Sequence, residues 1–114
     1  MHELGIAFYI VRDVKKVAEE NGVEHVSAVV MDIGEVSTVI PEYLQDVWRW
    51  AADKEDVLKG AELRCNIIPA VTWCDTCKSE YATVEHGRTC PHCGSDRTWL
   101  LRGNEVEIKE IEVV

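Results

Sequence analysis

Two short stretches, Cys74-Asp75-Thr76-Cys77 and Cys90-Pro91-His92-Cys93, decide how the second half of this chain folds. Each has the Cys-x-x-Cys spacing that bends the backbone into a knuckle and points two thiolates at one spot. Four thiolates gathered in this way are the ligand set of a structural Zn²⁺ site. Residues 78–89, between the knuckles, are predicted to form a short two-stranded ribbon. We therefore predict a zinc-ribbon domain over residues 70–100, with zinc bound by Cys74, Cys77, Cys90 and Cys93.

Two other interpretations of the four cysteines fit the spacing less well. Disulfides are disfavoured because they are rare in the cytosol and this pattern is typical of zinc sites. A rubredoxin-like iron site also uses four thiolates, but there a glycine usually follows each knuckle. Here Gly94 follows the second knuckle and Lys78 follows the first, which favours zinc.

Three further residues in this region could take part in metal chemistry. His86 and His92 could replace a cysteine or sense pH near the metal, but four cysteines already fill a tetrahedral shell, so exposed positions are expected. The fifth cysteine, Cys65, lies in a strand-like stretch and is predicted to be a small buried hydrophobic residue.

Length and charge limit the classes of function. The chain has 114 residues, enough for one small domain with a metal module, and a formal net charge of −9. Four ionised thiolates and one Zn²⁺ would bring the charge to about −11, which repels a phosphate backbone and argues against nucleic-acid binding. The first residues resemble neither a signal peptide nor a membrane span, so we expect a cytoplasmic protein with no membrane association.

Hydrophobic periodicity outside the cysteine region predicts an α/β (α+β) domain formed by residues 1–69 plus 101–114. Helices are predicted over residues 4–20 and from Pro41 onward, and strands over residues 26–33 and 62–68. The strand at residues 105–113 must return to the main sheet, with a bulge near Lys109 and Glu110 that restores one buried face. The predicted architecture is a small two-layer domain of two helices on a three-stranded sheet.

Each predicted helix and one strand carry an apolar face that we expect to pack into the core. Two tryptophans in the second helix could instead mark a partner site, but core packing is the simpler interpretation. The faces comprise Leu4, Ile6, Ala7, Ile10, Val11, Val14, Val17 and Ala18 in the first helix, Tyr43, Leu44, Val47, Trp48, Trp50 and Ala51 in the second, and Leu63, Cys65 and Ile67 in the strand.

The first three residues, Met1-His2-Glu3, form a second candidate metal site. The terminal amine, the His2 amide nitrogen and the His2 imidazole can close adjacent chelate rings in one plane, which suits Ni²⁺ or Cu²⁺. Glu3 could add a fourth donor through its amide or its carboxylate. A helix starting near Leu4 leaves its first N–H groups without acceptors, and its dipole favours an anionic donor there.

The order and spacing of several short motifs resemble the HypA/HybF nickel metallochaperones of hydrogenase maturation. The resemblance covers nearly the whole chain, including the paired cysteine knuckles and the strand at residues 105–113. The remaining motifs are Met1-His2-Glu3-Leu4, Ile33-Gly34-Glu35-Val36-Ser37, Val39-Ile40-Pro41-Glu42 and Gly60-Ala61-Glu62-Leu63.

The resemblance implies a protein that delivers nickel to [NiFe]-hydrogenase, and in some organisms to urease, without being an enzyme. Implied partners are a nickel-handling GTPase and the hydrogenase large subunit precursor, with the chaperone a monomer or a homodimer. By position, Met1, His2 and Glu3 would bind nickel, and the four knuckle cysteines would hold zinc.

Other functions are compatible with parts of the pattern. A zinc-ribbon adaptor for protein interactions would need the knuckles but no Met1-His2-Glu3, and a small redox protein would hold iron on the four thiolates. An enzyme ranks last because Asp32 and Glu35, acidic residues at a strand end, have no matching base or nucleophile.

Overall fold

The computed structural model describes residues 3–114, so the predictions for Met1 and His2 lie outside the described part. Within it the chain forms three α-helices, a short 3₁₀ turn at Asp56–Leu58 and six strands in two three-stranded sheets. The elements are α1 (Glu3–Glu20), β1 (Val26–Gly34), α2 (Pro41–Ala52), β2 (Glu62–Ile68), β3 (Val71–Cys74), β4 (Ser79–Ala82), α3 (Thr83–His86), β5 (Thr98–Arg102) and β6 (Val106–Val113).

The first sheet has the strand order β2-β1-β6, with β1 parallel to β2 and antiparallel to β6. The central strand is apolar almost throughout because it is buried on both faces. Helices α1 and α2 pack side by side, and their buried faces share one core cluster with β1 and β2. The predicted α+β class, two helices on a three-stranded sheet, is confirmed, and the last strand returns to this sheet.

The predicted bulge in β6 is present at Lys109. The pairing register shifts between Val30, opposite Glu110, and Met31, opposite Ile108, which leaves Lys109 as the extra residue. The extra residue restores the phase of the strand, so Ile108 and Ile111 both point toward the helices, opposite Met31 and Val29.

The predicted helix faces are wider than the buried ones. Leu4 and Val17 in α1, and Tyr43 and Trp50 in α2, are 42–56% exposed, so their assignment to the core was wrong. A helix lying on a sheet buries only a stripe, and residues at the margins of an apolar face stay in solvent.

The two tryptophans of α2 have different environments. Trp48 is buried, and its indole N–H donates to the carbonyl of Ala61 at 3.0 Å. Trp50 packs edge to face against Phe8 of α1, with ring centroids 5.6 Å apart, and Lys54 lies 3.9 Å from its ring centroid.

On β2, Leu63 is buried as predicted, but Ile67 is 51% exposed because it lies near the end of an edge strand. Cys65 is half-buried against the core, and this burial raises the pKa of its thiol.

The second sheet has the order β4-β3-β5 and differs from the predicted ribbon. Residues 78–89 contain only β4 and the one-turn helix α3, not two strands. The pairing partner of both β4 and β5 is β3, which precedes the first knuckle and which the sequence prediction did not include as a strand. Strand β5 ends at Arg102, so the second sheet extends two residues beyond the predicted boundary at residue 100. The division of the chain into two domains stays a prediction.

The chain crosses between the two sheets twice, after β2 near Ala70 and before β6 at Gly103. Glycines let the two crossing segments and the end of β1 pack closely together. A Cβ at Gly34 would overlap the carbonyl group of Gly103, and a Cβ at Gly103 would overlap Ala70. Between these contacts, the Glu35 carboxylate accepts a hydrogen bond from the Ala70 N–H at 2.9 Å. The backbone therefore packs against backbone at this junction, which leaves no room for side chains at the two glycines.

No helix among the described residues combines the length and the apolar composition needed to cross a membrane.

We predict that Gly34→Ala lowers the free energy of unfolding by at least about 2 kcal/mol, because its Cβ meets backbone that has little freedom to move. Gly60→Ala is the matched control, since Gly60 has a left-handed φ of +78° but an added Cβ there would have no other atom within 4 Å, and we expect it to cost about 1 kcal/mol. Urea unfolding followed by circular dichroism measures both. Equal free energies of unfolding for Gly34→Ala and the natural chain would contradict the claim that the junction leaves no room for a side chain at Gly34.

Candidate metal centre

The four knuckle cysteines meet at one point at the end of the second sheet. Their sulfur atoms all lie within 4.8 Å of one another. Cys74 Sγ lies 3.6 Å from Cys93 Sγ, and Cys77 Sγ lies 3.6 Å from Cys90 Sγ, so each short distance joins one knuckle to the other. None of these four cysteines forms a disulfide.

These distances fit a four-thiolate metal site. Zinc–sulfur bonds of about 2.3 Å in a tetrahedron place the sulfurs about 3.8 Å apart. A disulfide would require about 2.05 Å. The geometry therefore agrees with four separate thiolates around one cation, and it brings together the four residues that the sequence pattern selected.

Both knuckles are closed by the same backbone arrangement. The N–H of Lys78 donates to the carbonyl of Cys74 at 2.9 Å, and the N–H of Gly94 donates to the carbonyl of Cys90 at 2.8 Å. Lys78 and Gly94 both have left-handed φ angles, of 59° and 74°. Because Lys78 adopts a backbone conformation typical of glycine, the missing glycine after the first knuckle does not help to distinguish zinc from iron.

Polar contacts hold the two knuckles in register. Thr76 Oγ1 and Ser95 Oγ lie 2.7 Å apart and join the first knuckle to the residues after the second. The Asp75 carboxylate pairs with Lys78 Nζ at 2.7 Å and lies 3.7 Å from the guanidinium of Arg97. The hydrogen bond from Lys78 is the largest cause of the lowered pKa of Asp75. Sequence spacing gave no sign of these contacts, since they depend on how the knuckles face each other.

The thiols differ in how readily they ionise without a metal. The pKa of Cys74 is lowered to about 7, and the largest cause is the hydrogen bond from the backbone N–H of Cys77. For Cys93, the Ser95 N–H acts in the lowering direction, but desolvation and the neighbouring sulfurs raise the pKa to about 12. Four thiolates at this separation therefore need a bound cation to balance their charge.

The solvent reaches one side of the cluster. Cys74 and Cys90 are buried, whereas Cys77 and Cys93 are exposed. His86 and His92 are exposed, as predicted, and neither belongs to the cluster. The His86 ring instead packs edge to face against Tyr81, with centroids 6.0 Å apart.

The described part of the predicted nickel site is Glu3, the first residue of α1. Its side chain is buried, and Oε2 accepts a hydrogen bond from the N–H of Ile40 at 3.3 Å. Ile40 is the residue before the first turn of α2, so the Glu3 carboxylate ties the start of one helix to the start of the next. Sequence reasoning missed this contact because 37 residues separate the two partners.

The acidic residues considered for catalysis have other roles in the described structure. The Glu35 carboxylate binds the junction backbone, as described above. Asp32 accepts a hydrogen bond from the side-chain amide of Asn66 at 3.3 Å. Both carboxylates therefore make hydrogen bonds that stabilise the fold.

Comparison with known proteins matches nearly the whole chain to one protein family. A family described as "Hydrogenase/urease nickel incorporation, metallochaperone, hypA" matches residues 1–113. Among relatives, the hydrogenase maturation factor HypA of Chloroflexus aggregans is 36% identical, and HybF of Klebsiella pneumoniae is 30% identical, each over 98% of both chains.

Two solved structures share the fold. The nickel metallochaperone HypA from Helicobacter pylori superposes with a TM-score of 0.74 at 21% identity, covering 100% of this chain and 98% of that one. A second HypA structure gives 0.76 at 22% identity, covering 100% and 97%.

The family consists of metallochaperones and maturation factors, which confirms the expectation that the chain is not an enzyme. The four-cysteine cluster, the two-layer fold and a family match across residues 1–113 agree with one another. The chain therefore belongs to the HypA family of metallochaperones for nickel incorporation into hydrogenase and urease.

Proposed function

We propose that this protein binds Ni²⁺ with Met1, His2 and Glu3 and delivers it during maturation of [NiFe]-hydrogenase, with urease as a second class of recipient. The observation that carries the proposal is the family match over residues 1–113, which includes all three of these residues. Nickel is cargo in this scheme, bound and then released.

The donor atoms follow from chemistry at the start of the chain. With Met1 as the first residue, its amine and the amide and imidazole nitrogens of His2 supply three donors in a plane. The Glu3 amide supplies the fourth, because the Glu3 carboxylate is buried and bonded to Ile40. Glu3 is the first residue of α1, so its N–H has no acceptor within the helix and is free to be deprotonated.

Zinc is the proposed resident metal, held by Cys74, Cys77, Cys90 and Cys93. Support comes from sulfur separations that fit a zinc tetrahedron and from the small buried cluster of the second sheet, which comprises Cys74, Tyr81 and Cys90. When bound, zinc supplies structural energy rather than chemistry, since four protein ligands leave no open position.

The proposed partners are a nickel-handling GTPase and the hydrogenase large subunit precursor, and the proposed location is the cytoplasm. Thiolate ligands need a reducing compartment, which supports that location. The net charge of −9 disfavours nucleic acid as a partner. The chaperone itself is proposed to be a monomer or a homodimer.

The alternative, a zinc-ribbon adaptor without a nickel role, shares the cysteine cluster but assigns nothing to the first residues. A maturation assay separates the two functions. In cells lacking this protein, the natural chain should restore hydrogenase activity and His2→Ala should not. Equal restoration by both chains, or submicromolar binding to specific DNA or RNA at physiological salt, would favour the adaptor.

We predict that Cys90→Ala loses stoichiometric zinc and disorders residues 73–99, while α1, α2 and the first sheet persist. Removing one thiolate leaves the second sheet with too few buried apolar residues to fold. Cys65→Ala is the matched control and should keep one zinc per chain, because Cys65 lies outside the cluster. Metal analysis and amide NMR spectra measure both, and the same analysis distinguishes iron. A rigid, zinc-loaded Cys90→Ala chain would contradict the assignment.

We predict that one residue added before Met1 weakens nickel binding at least about tenfold, because the primary amine becomes an amide and moves out of the chelate. His2→Ala should cost more, since it removes the imidazole. Glu3→Gln should change affinity less than either, because the proposed donor is the Glu3 amide and glutamine keeps an oxygen for the Ile40 N–H.

Calorimetric nickel titrations of the tag-free chain and these three variants measure the ranking, with circular dichroism and zinc content as controls of folding. A Glu3→Gln loss as large as that of His2→Ala would identify the carboxylate as the donor. Unchanged nickel affinity in both the extended chain and His2→Ala would refute the N-terminal site.

A further inference from the structure

Within residues 3–114, no strand pairs with the outer edge of β6. With the order β2-β1-β6, this eight-residue strand closes one side of the first sheet. The Glu105 carbonyl accepts a hydrogen bond from the N–H of Gly34, which fixes the phase of the ladder with β1. Alternation then directs the N–H and C=O groups of Val106 and Ile108 away from β1. Such a row of donors and acceptors is a template for a further strand.

An apolar groove runs along the helix side of this edge. This groove is open to solvent and has a volume of about 440 Å³ between α1 and β6. Val17 in its wall is 45% exposed, and Ile108 and Ile111 in its floor are only partly buried. The remaining lining residues are Asp13, Lys16 and Glu20. Among the described residues, α1 therefore leaves apolar surface uncovered next to the outer edge of β6.

The other side of β6 is mainly acidic, since Glu107, Glu110 and Glu112 outnumber Lys109, the one basic residue of the strand. Glu107 and Glu110 lie opposite Asp32 and Val30, on the sheet face turned away from the helices. Both side chains are exposed, and neither makes an ion pair within 4.0 Å in residues 3–114. Their neighbour Glu112, by contrast, pairs with Arg64 at 2.6 Å.

We propose that the β6 edge binds an extended segment of a partner protein in which apolar and basic side chains alternate. A strand has a side-chain period of two, so one set of its side chains would enter the groove on Val17, Ile108 and Ile111. The other set would lie beside Glu107 and Glu110. Main-chain hydrogen bonds to Val106 and Ile108 supply affinity, and the two side-chain environments select the sequence.

A second copy of the chain is a poorer occupant of this edge. The charged residues of β6 are Glu107, Glu110 and Glu112 with one Lys109, so pairing two copies would set mostly carboxylates against carboxylates. The bulge at Lys109 interrupts the outer edge for any added strand, so the main-chain pairing of the proposed segment is confined to the short run at Val106 and Ile108.

An NMR titration of the full-length, zinc-loaded chain tests the proposal. The probe is a capped eight-residue peptide that alternates valine or isoleucine with lysine or arginine. The comparison peptides are a non-alternating scramble and an alternating version with glutamate in place of the basic residues. We expect the basic alternating peptide to shift amide signals of residues 105–113 and of Val17, and to slow hydrogen exchange at Val106 and Ile108.

Charge reversal supplies the matched variants. The double variant Glu107→Lys/Glu110→Lys should lower the affinity for the basic peptide at least tenfold and raise the affinity for the acidic peptide. Asp46→Lys/Glu85→Lys makes the same change of net charge at exposed positions elsewhere, and should alter affinity less than twofold.

The proposal would be overturned if the two double variants lost equal affinity for the basic peptide. It would also be overturned if the peptide shifted only amide signals of other surfaces. A dimer whose Val106 and Ile108 amides already exchange slowly without peptide would overturn it as well, because a second copy would then occupy the edge. None of these readouts involves nickel, so they succeed or fail independently of the proposed metal delivery.

Discussion

The structure depends on a backbone contact in which Gly34 packs against the carbonyl group of Gly103. The chain leaves the first sheet after β2, forms the cysteine module and returns through Gly103 to β6, so both crossings pass one point. The Glu35 carboxylate binds the outgoing strand at Ala70, and the Val36 N–H binds the incoming one at Gly103. A side chain at Gly34 would push the returning segment away from β1, and a side chain at Gly103 would separate the two crossings.

The two sides of this junction are stabilised by different forces. The first sheet and its helices share a continuous apolar cluster that extends from Ala7 to Leu63. The second sheet buries Tyr81 with Cys74 and Cys90, and burial of so few residues yields little hydrophobic free energy. Four sulfurs within 4.8 Å of one another take the place of a core there, because a metal bound to them would cross-link the knuckles.

The acidic character of the chain is distributed with some order. Glu3 is withdrawn from solvent to bind the start of α2, and Glu112 is paired with Arg64. Glu107 and Glu110 stay exposed along β6, an edge strand of the described structure. The same residue type therefore serves local structure in one place and leaves a negative surface in another, a distinction that net charge alone does not reveal.

The sequence by itself determined the features that follow from short spacing and periodicity. Two Cys-x-x-Cys knuckles specify the four clustered sulfurs, and the phase change around Lys109 specifies the bulge in β6. A β-branched run specifies β1, and alternation of apolar and polar residues specifies β2. Only the tertiary structure decided which apolar residues are covered, since Trp48 and Trp50 have equal hydrophobicity but different neighbours. It also decided the role of β3 as the centre of the second sheet, the left-handed turn at Lys78 and the Glu3 contact with Ile40. Each of these arises from groups far apart in the chain or from hydrogen bonds that override local preference, and no local pattern encodes them.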